Sequence, residues 1–93
     1  MVLKENERII LNKLNNFFLA DILKETTYEY ARYDAYNKNY IVEIKNRTEV
    51  YEDTIIEFDK YAYNLTYSKQ KNKVFLYVVK MDHKIYIFNI TDL

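Results

Sequence analysis

The chain contains neither glycine nor proline among its 93 residues, and this absence constrains every turn that it can make. Glycine is the usual residue where a tight turn needs a left-handed backbone, and asparagine and aspartate are its common substitutes. Turns must therefore be made by Asn, Asp and Lys. The stretch Asn37-Lys38-Asn39 is such a turn, because residues 40–45 behind it alternate between apolar and polar side chains as a strand does.

A hairpin at this turn brings two carboxylates opposite each other. We expect its asparagines to supply the left-handed backbone that short hairpin loops require. If Lys38 and Asn39 form a two-residue loop, Asp34 lies directly across from Glu43, and Lys45 projects on the Glu43 side. Like charges placed opposite each other destabilise a sheet. A fold that keeps both carboxylates is therefore expected to place a positive group between them.

Composition limits the classes of protein to which the chain can belong. A hydrophobic fraction of 49% and an aromatic fraction of 17% in 93 residues indicate one globular domain spanning residues 1–93. The absence of cysteine excludes disulfides, thiolate metal sites and thiol nucleophiles, and a single histidine argues against structural zinc. The charged start and the lack of a long apolar run predict a soluble, cytoplasmic protein.

Net charge is zero, but the charges are not evenly distributed. Residues 30–47 and 64–93 carry an excess of basic side chains, whereas residues 48–63 carry an excess of acids. A neutral protein can still present a basic surface when its acids are segregated elsewhere. Charge therefore leaves nucleic-acid binding open.

Hydrophobic periodicity predicts two helices and five strands. A first amphipathic helix is expected over about 6–24, with Asn6 as its N-cap. A second opens at Glu52-Asp53, and it ends before a basic loop at residues 68–72. Strands are expected over 26–33, on both arms of the hairpin, and over 73–80 and 84–90. The long connection through the second helix favours a parallel crossover within a mixed α/β sheet. The second helix is expected to bury one apolar stripe, formed by Ile55, Phe58, Ala62 and Leu65.

Asp34 followed by Glu43-Ile44-Lys45, in this order of elements, resembles the PD-(D/E)XK nuclease superfamily. The likeness is nearest to small phage and archaeal Holliday-junction resolvases. It implies a restriction-endonuclease-like αβββαβ(β) core, with a mixed sheet flanked by two helices. Tyr33 stands where the family has a proline. The stretches that carry the likeness are Arg32-Tyr33-Asp34 and residues 41–47, with Glu7-Arg8 and Lys60-Tyr61 in support.

The resemblance implies a catalytic site that holds Mg²⁺ or Mn²⁺. Asp34, Glu43 and the carbonyl of Ile44 are the implied metal ligands, with Glu7 of the first helix as a further one. Two carboxylates and a carbonyl suit Mg²⁺, which prefers oxygen ligands and retains several waters. Lys45 is expected to orient the attacking water or stabilise developing negative charge. The expected phosphate contacts are Arg32, Arg47, Lys60, Lys69, Lys71 and Lys73.

These implications predict a magnesium-dependent endodeoxyribonuclease, encoded by a phage and acting on branched or structured DNA. A homodimer is expected, because two copies supply two active sites for two strands. No membrane and no small-molecule cofactor are expected.

Each site residue also has an ordinary interpretation. Glu43 and Lys45 would then be solvent-facing strand residues, Glu7 a helix-dipole residue, Lys60 an ion-pair partner and the loop lysines a solvated surface. A non-catalytic DNA- or protein-binding module on the same fold is the alternative function. A small α/β regulatory protein with a chance E-x-K is a third.

Overall fold

A computed structural model describes residues 3–17, 21–27, 31–47 and 58–92, without the side chains of Arg47 and residues 58–60. Its elements follow in the expected order, one helix, three strands, a second helix and two strands. They are α1 (Glu5–Leu14), β1 (Lys24–Glu25), β2 (Ala35–Tyr36), β3 (Tyr40–Arg47), α2 (Phe58–Gln70), β4 (Val74–Met81) and β5 (Lys84–Asn89).

The five strands form one mixed sheet in the order β1-β2-β3-β4-β5. β1, β2 and β3 pair antiparallel, β3 and β4 pair parallel, and β4 and β5 pair antiparallel. The parallel pair follows from the crossover through α2, as the sequence predicts. The expected α/β class, mixed sheet and two helices are therefore confirmed.

Two apolar clusters cover the two faces of the sheet. Val42 and Ile44 belong to the cluster under α1, which includes Ile10, Leu11 and Leu14 of that helix. The other cluster contains Ile41 of β3, four buried residues of β4 and the C-terminal segment, and partly buried residues of α2. The face beneath α1 is called the α1 face below, and the opposite one the α2 face.

α1 is shorter than the periodicity predicts, and its cap is a different residue. The helix ends at Leu14, because the side chain of Asn15 accepts a hydrogen bond from the Leu23 N–H at 2.7 Å and donates one to the Leu23 carbonyl at 3.1 Å. An asparagine that bonds to a distant backbone in this way competes with continuation of the helix. Asn6 lies inside the helix, and Lys4 occupies the N-cap instead.

The first strand also differs from its predicted range of 26–33. Among the described residues, β1 comprises Lys24 and Glu25 and residues 31–33 lie outside any strand, whereas residues 28–30 of the predicted range are not among those described. The Thr26 N–H nevertheless donates to the carbonyl of Asp34 at 2.9 Å. Thr26 thus holds the chain beside Asp34 without extending the ladder.

α2 extends further than expected at its C-terminal end. Residues 68–70, predicted as loop, continue the helix to Gln70. Asn72 then adopts a left-handed backbone, with φ of 56°, and the Lys73 N–H caps the Ser68 carbonyl at 2.7 Å. The proposed start at Glu52-Asp53 and the stripe residue Ile55 lie outside the described residues.

The last two strands match their predicted ranges to within one residue at each end. Asp82 and His83 connect them with positive φ values of 47° and 71°. Two consecutive left-handed residues are typical of a two-residue hairpin loop. The rule that turns without glycine fall to Asn and Asp thus holds at Asn72 and Asp82, and His83 takes such a position as well.

Candidate active site

The register of the β2–β3 hairpin is the one that the sequence predicts. Ala35 pairs with Val42 and Tyr36 with Ile41, and Asp34 is the residue directly before this paired segment. The turn closes with the Asn37 N–H donating to the Tyr40 carbonyl at 3.0 Å.

The prediction that the asparagines of this turn adopt a left-handed backbone is wrong. Among the described residues, positive φ occurs only at positions 72, 82 and 83. The side-chain oxygen of Asn37 accepts the N–H groups of Asn39 and Tyr40, at 2.9 and 2.8 Å. An asparagine side chain that mimics a backbone acceptor closes the turn without the left-handed conformation.

Asp34 is held in place through three hydrogen bonds. Its N–H donates to the Val42 carbonyl at 2.8 Å, and its own carbonyl accepts from Thr26. Its Oδ2 atom accepts the N–H of Ile44 at 2.7 Å. The residue is buried, so this carboxylate is fixed against the backbone that lies between Glu43 and Lys45.

Glu43 is a carboxylate in the interior of the sheet. It is only 2% exposed, and its register partner on β4 is the fully buried Tyr77. Its Oε1 atom lies 3.9 Å from the Nζ atom of Lys45, whose side chain is 27% exposed. Burial of a carboxylate costs free energy even when a cation stands beside it. Glu43 and Lys45 are therefore not the solvent-facing pair that the ordinary interpretation requires.

The carbonyl of Ile44 points towards the same side of β3 as Asp34. In a strand, the N–H and C=O of one residue point to the same neighbouring strand, and the N–H of Ile44 points to Asp34. The Asp34 carboxylate and the backbone of Ile44 thus lie together where β2 begins to pair with β3, and Glu43 is the neighbouring residue on β3.

Glu7 makes a different contact from the one that the resemblance implies. Its Oε1 atom accepts the Lys4 N–H at 3.1 Å, across the first turn of α1. α1 packs on the α1 face, whereas Glu43 has the parity of Ile41 and projects towards the α2 face. Within the described part of the chain, no three carboxylate or histidine side chains gather as a metal-binding group. A metal-ligand role for Glu7 stays a prediction.

Three of the four predicted phosphate contacts whose side chains the structure describes lie far along the sheet from Lys45. Arg32 is exposed and lies two residues from Asp34. Lys69 and Lys71 are exposed at the end of α2, and Lys73 stands just before β4. These three lysines lie about 15–20 Å from Lys45, since β3 runs from this end with a rise of about 3.3 Å per residue. The side chains of Arg47 and Lys60 lie outside the described residues.

Lys73 also has a structural contact. Its Nζ atom donates to the carbonyl of Asn37 at 2.8 Å and lies 5.6 Å from the ring centroid of Tyr36. Lys73 therefore stabilises the hairpin turn and is not the solvated loop lysine of the ordinary interpretation.

A row of aromatic rings flanked by cations runs beside the site, and sequence reasoning did not single it out. The guanidinium of Arg32 lies 5.2 Å from the ring centroid of Tyr63, which stacks on Tyr67 at 6.2 Å and 11°. Tyr67 lies 5.5 Å from Tyr33, which meets Tyr36 edge-on at 6.3 Å. The four-residue spacing of Tyr63 and Tyr67 on α2 is the signal that would have revealed the row. We call these residues the aromatic ladder: Arg32, Tyr63, Tyr67, Tyr33, Tyr36 and Lys73.

Tyr33 is a half-buried ring of the aromatic ladder and contacts Tyr67 of α2. Burial raises the pKa of its hydroxyl well above the usual value, and the hydrogen bond with Tyr67 raises the pKa further. Tyr33 therefore stays neutral across the physiological range and acts as an apolar and hydrogen-bonding group.

Two buried polar residues of α2 were also missed. Asn64 is fully buried, and its Nδ2 atom donates to the Arg32 carbonyl at 2.7 Å. Ser68 is equally buried and donates to the Leu65 carbonyl at 2.8 Å. The face of α2 that packs against the sheet is thus rotated from the predicted stripe of Ala62 and Leu65. It contains Tyr61, Asn64, Leu65 and Ser68. Asn64 fixes the loop that carries Arg32 and leads into Asp34.

No protein-family model, curated protein or solved structure matches the chain. Among the described residues, no helix is both long enough and apolar enough to cross a membrane. The functional argument therefore depends on the geometry of the site.

Proposed function

We propose that the chain is a Mg²⁺-dependent nuclease of the PD-(D/E)XK type that hydrolyses DNA phosphodiester bonds. The observation that carries the proposal is the contact of the buried Asp34 carboxylate with the Ile44 N–H, which lies between buried Glu43 and Lys45. Buried carboxylates lower the stability of a fold unless cations compensate their charge. The order of helices and strands agrees with that of the superfamily.

The donors present fit magnesium. Asp34, Glu43 and the Ile44 carbonyl offer hard oxygens and would leave several coordination positions to water. The bound ion would supply charge neutralisation at the phosphate and acidify a water. Lys45, whose side chain is 27% exposed and lies 3.9 Å from Glu43, would hold that water and stabilise the charge that develops on the phosphoryl oxygens. The Ile44 N–H fixes the orientation of Asp34 in advance.

The aromatic ladder supports a nucleic acid as the substrate. Unpaired bases stack on tyrosine rings and on guanidinium planes, and the ladder offers both beside the carboxylates. Arg32 and Tyr63 are both substantially exposed. An unpaired or branched DNA segment would satisfy this surface better than a uniform duplex, whose bases are stacked on one another.

One observation favours the alternative, a binding module without catalysis. Asp34 already serves the fold, since its Oδ2 atom accepts the buried N–H of Ile44. A carboxylate kept for that purpose alone would leave a nuclease-like site that binds DNA and cuts nothing. The experiment below distinguishes the two functions.

The test incubates the purified protein with supercoiled, single-stranded and four-way-junction DNA in Mg²⁺, Mn²⁺ or EDTA. Lys45→Ala is the informative variant, and Lys80→Ala is its matched control. Lys80 is a half-buried lysine near the same end of the neighbouring strand, and by parity it faces the α1 face. We expect cleavage in Mg²⁺ or Mn²⁺ that EDTA and Lys45→Ala abolish and that Lys80→Ala retains.

Cleavage that persists in EDTA, or that Lys45→Ala leaves unchanged, would sink the proposal. DNA binding without cleavage in either metal would establish the binding module instead. Calorimetric titration of Mg²⁺ into the wild type and Asp34→Asn adds a readout that is independent of activity. We expect the variant to bind the ion more weakly.

A further inference from the structure

The two edges of the sheet differ in how they are protected against pairing with another chain. β1 forms one edge with two charged residues, Lys24 and Glu25. Short, charged edge strands are a common way to prevent association. β5 forms the other edge with six residues, and among the described strands it pairs only with β4. β5 lacks the protection that β1 has.

β5 also exposes apolar side chains on both of its faces. Ile87 is 51% exposed on the α1 face, while Tyr86 and Phe88 are 41% and 39% exposed on the other. Ile87 and the 81% exposed Phe17 line one cleft of about 400 Å³ between α1 and β5. A contiguous apolar patch of this kind marks an interaction site, whereas scattered apolar residues do not.

The backbone of β5 has a defined set of outward-facing groups. The Ile90 N–H donates to the Phe75 carbonyl of β4 at 2.9 Å. Because N–H and C=O groups alternate in direction along a strand, Phe88, Tyr86 and Lys84 also face β4. The remaining residues, Ile85, Ile87 and Asn89, direct their N–H and C=O groups away from it.

We propose that a second copy of this chain pairs antiparallel with β5, about a twofold axis at Ile87. Residues directly opposite in a sheet share a face, so the twofold axis of a symmetric pairing must pass through a residue and not between two. The two residues at the middle of β5 are Tyr86 and Ile87. Centring on Ile87 pairs it with itself and Ile85 with Asn89 on both sides, which gives about six interchain backbone hydrogen bonds. Centring on Tyr86 gives about four.

The side chains agree with the register centred on Ile87. Tyr86 then lies opposite Phe88 of the partner subunit, twice, and aromatic cross-strand pairs are stabilising. The two Ile87 side chains meet on the α1 face, where Phe17 extends the apolar contact. A net charge of zero creates no overall repulsion between copies. The edge is complementary to itself, which favours a second copy over an unrelated partner.

This pairing would create a ten-stranded sheet with both candidate active sites on the same face. Glu43, Tyr77 and Phe88 lie in one row across β3, β4 and β5, next to the axis at Ile87. Five strand spacings then separate the two sites by about 24 Å. Because the sheet twists, one candidate active site is rotated relative to the other by roughly 100°. Only this consequence rests on the proposed nuclease function, and the pairing itself does not.

The test is the oligomeric state of the full chain by sedimentation equilibrium, for the wild type and two variants. Ile87→Lys places a charge at the axis, and Ile22→Lys is its matched control. Ile22 is 53% exposed and lies beside β1, at the opposite edge. We expect the wild type and Ile22→Lys to have twice the mass of 11.4 kDa. Ile87→Lys should raise the dimer dissociation constant at least about tenfold.

Crosslinking tests the axis itself. The chain has no cysteine, so Ile87→Cys and Ile22→Cys each introduce a single thiol. Hydrogen-bonded pairs have Cα atoms about 5.5 Å apart, within disulfide range. Ile87→Cys should oxidise to a covalent dimer faster than Ile22→Cys. A monomeric wild type, a dimer insensitive to Ile87→Lys, or equal oxidation of the two thiols would overturn the proposal. Thermal unfolding of each variant confirms that it folds.

Discussion

The two faces of β3 differ in the kind of side chain that they bury. On the α1 face, Val42 and Ile44 are fully buried among aliphatic side chains of α1, β2 and β4. On the α2 face, Ile41 packs in an apolar cluster, but Glu43 and Lys45 follow it in the same row. Both faces exclude water at the middle of the strand. Only one of them buries charge.

This difference separates the residues that stabilise the fold from those that lower its stability. Burial of an isoleucine contributes about 1.5–3 kcal/mol to folding. Burial of a carboxylate opposes folding unless the charge is compensated. Burial of apolar side chains on the α1 face therefore offsets the free-energy cost of burying Glu43 and Asp34. Natural proteins tolerate such destabilising groups mainly at functional sites.

The largest contrast is expected between the neighbours Ile44 and Glu43. Ile44→Ala removes a buried side chain from the α1 face and should lower the free energy of unfolding by about 2–5 kcal/mol. Glu43→Gln removes a buried charge of nearly the same volume and should leave that free energy unchanged or raise it. Cleavage should fall by at least about 100-fold in Glu43→Gln. Urea unfolding and the cleavage assay measure the two effects.

The opposite outcome has a clear meaning. If Glu43→Gln destabilises the protein as much as Ile44→Ala does, then Glu43 and Lys45 form a structural ion pair. The comparison between the two faces would then fail.

Asp34 is expected to show both kinds of effect, which two variants separate. Asp34→Ala removes the acceptor of the Ile44 N–H and should cost about 1–3 kcal/mol of stability. Asp34→Asn keeps an acceptor oxygen and should cost less. Both should lose cleavage and magnesium binding, because both lose the negative charge. An Asp34→Asn protein that cleaves like the wild type would show that Asp34 acts only in the fold.

Sequence reasoning predicted the buried side chains of β3 and the pairing of the hairpin well, because both depend on local patterns. The alternation after Asn39 gives the strand, and the position of the turn gives the register that pairs Ala35 with Val42. The parallel pairing of β3 and β4 followed from the long connection through α2. These features require no knowledge of distant contacts.

The α2 face was predicted less well, because its contacts join residues far apart in the chain. Asn64 looks like a solvent-facing helix residue until the Arg32 carbonyl, 32 positions earlier, is seen to accept its hydrogen bond. The end of α1 depends in the same way on a bond between Asn15 and Leu23. Propensity and periodicity carry no information on such polar partners. The aromatic ladder also depends on tertiary placement.

Tyr63 tests whether the α2 face binds nucleic acid. Its ring is 45% exposed between Arg32 and Tyr67, and Tyr63→Ala should weaken single-strand binding by about 1–3 kcal/mol. Stability should change by less than about 0.5 kcal/mol, because the ring is half in solvent. Fluorescence anisotropy of a labelled oligonucleotide in EDTA measures binding without cleavage. Tyr63→Phe retains the ring and should bind like the wild type. Equal affinity of Tyr63→Ala and the wild type would remove the ladder from the substrate site.

The smallest effect is expected from the ion pair beside α1, which contrasts with the buried pair on the α2 face. Arg8 Nη2 lies 2.8 Å from Glu25 Oε1, with both side chains partly in solvent. The hydrogen bond from Arg8 lowers the pKa of Glu25 below its usual value of 4.5. A carboxyl whose pKa is lower in the folded state stabilises the protein above its usual pKa, and this contribution is lost as the pH falls through the lowered pKa.

Arg8→Ala should therefore lower the melting temperature slightly at pH 7, and the difference from wild type should disappear well below pH 4.5, where Glu25 is protonated in both proteins. Lys24→Ala, at the residue next to Glu25, is the control and should show no such pH dependence. Added salt should reduce the Arg8→Ala effect, because exposed charges are screened. A difference that persists at low pH would show that Arg8 acts through its other contact, the hydrogen bond to the Leu3 carbonyl at 3.3 Å. The exposed ion pair would then add no stability through its charge, and the contrast with the buried pair would rest on Glu43 alone.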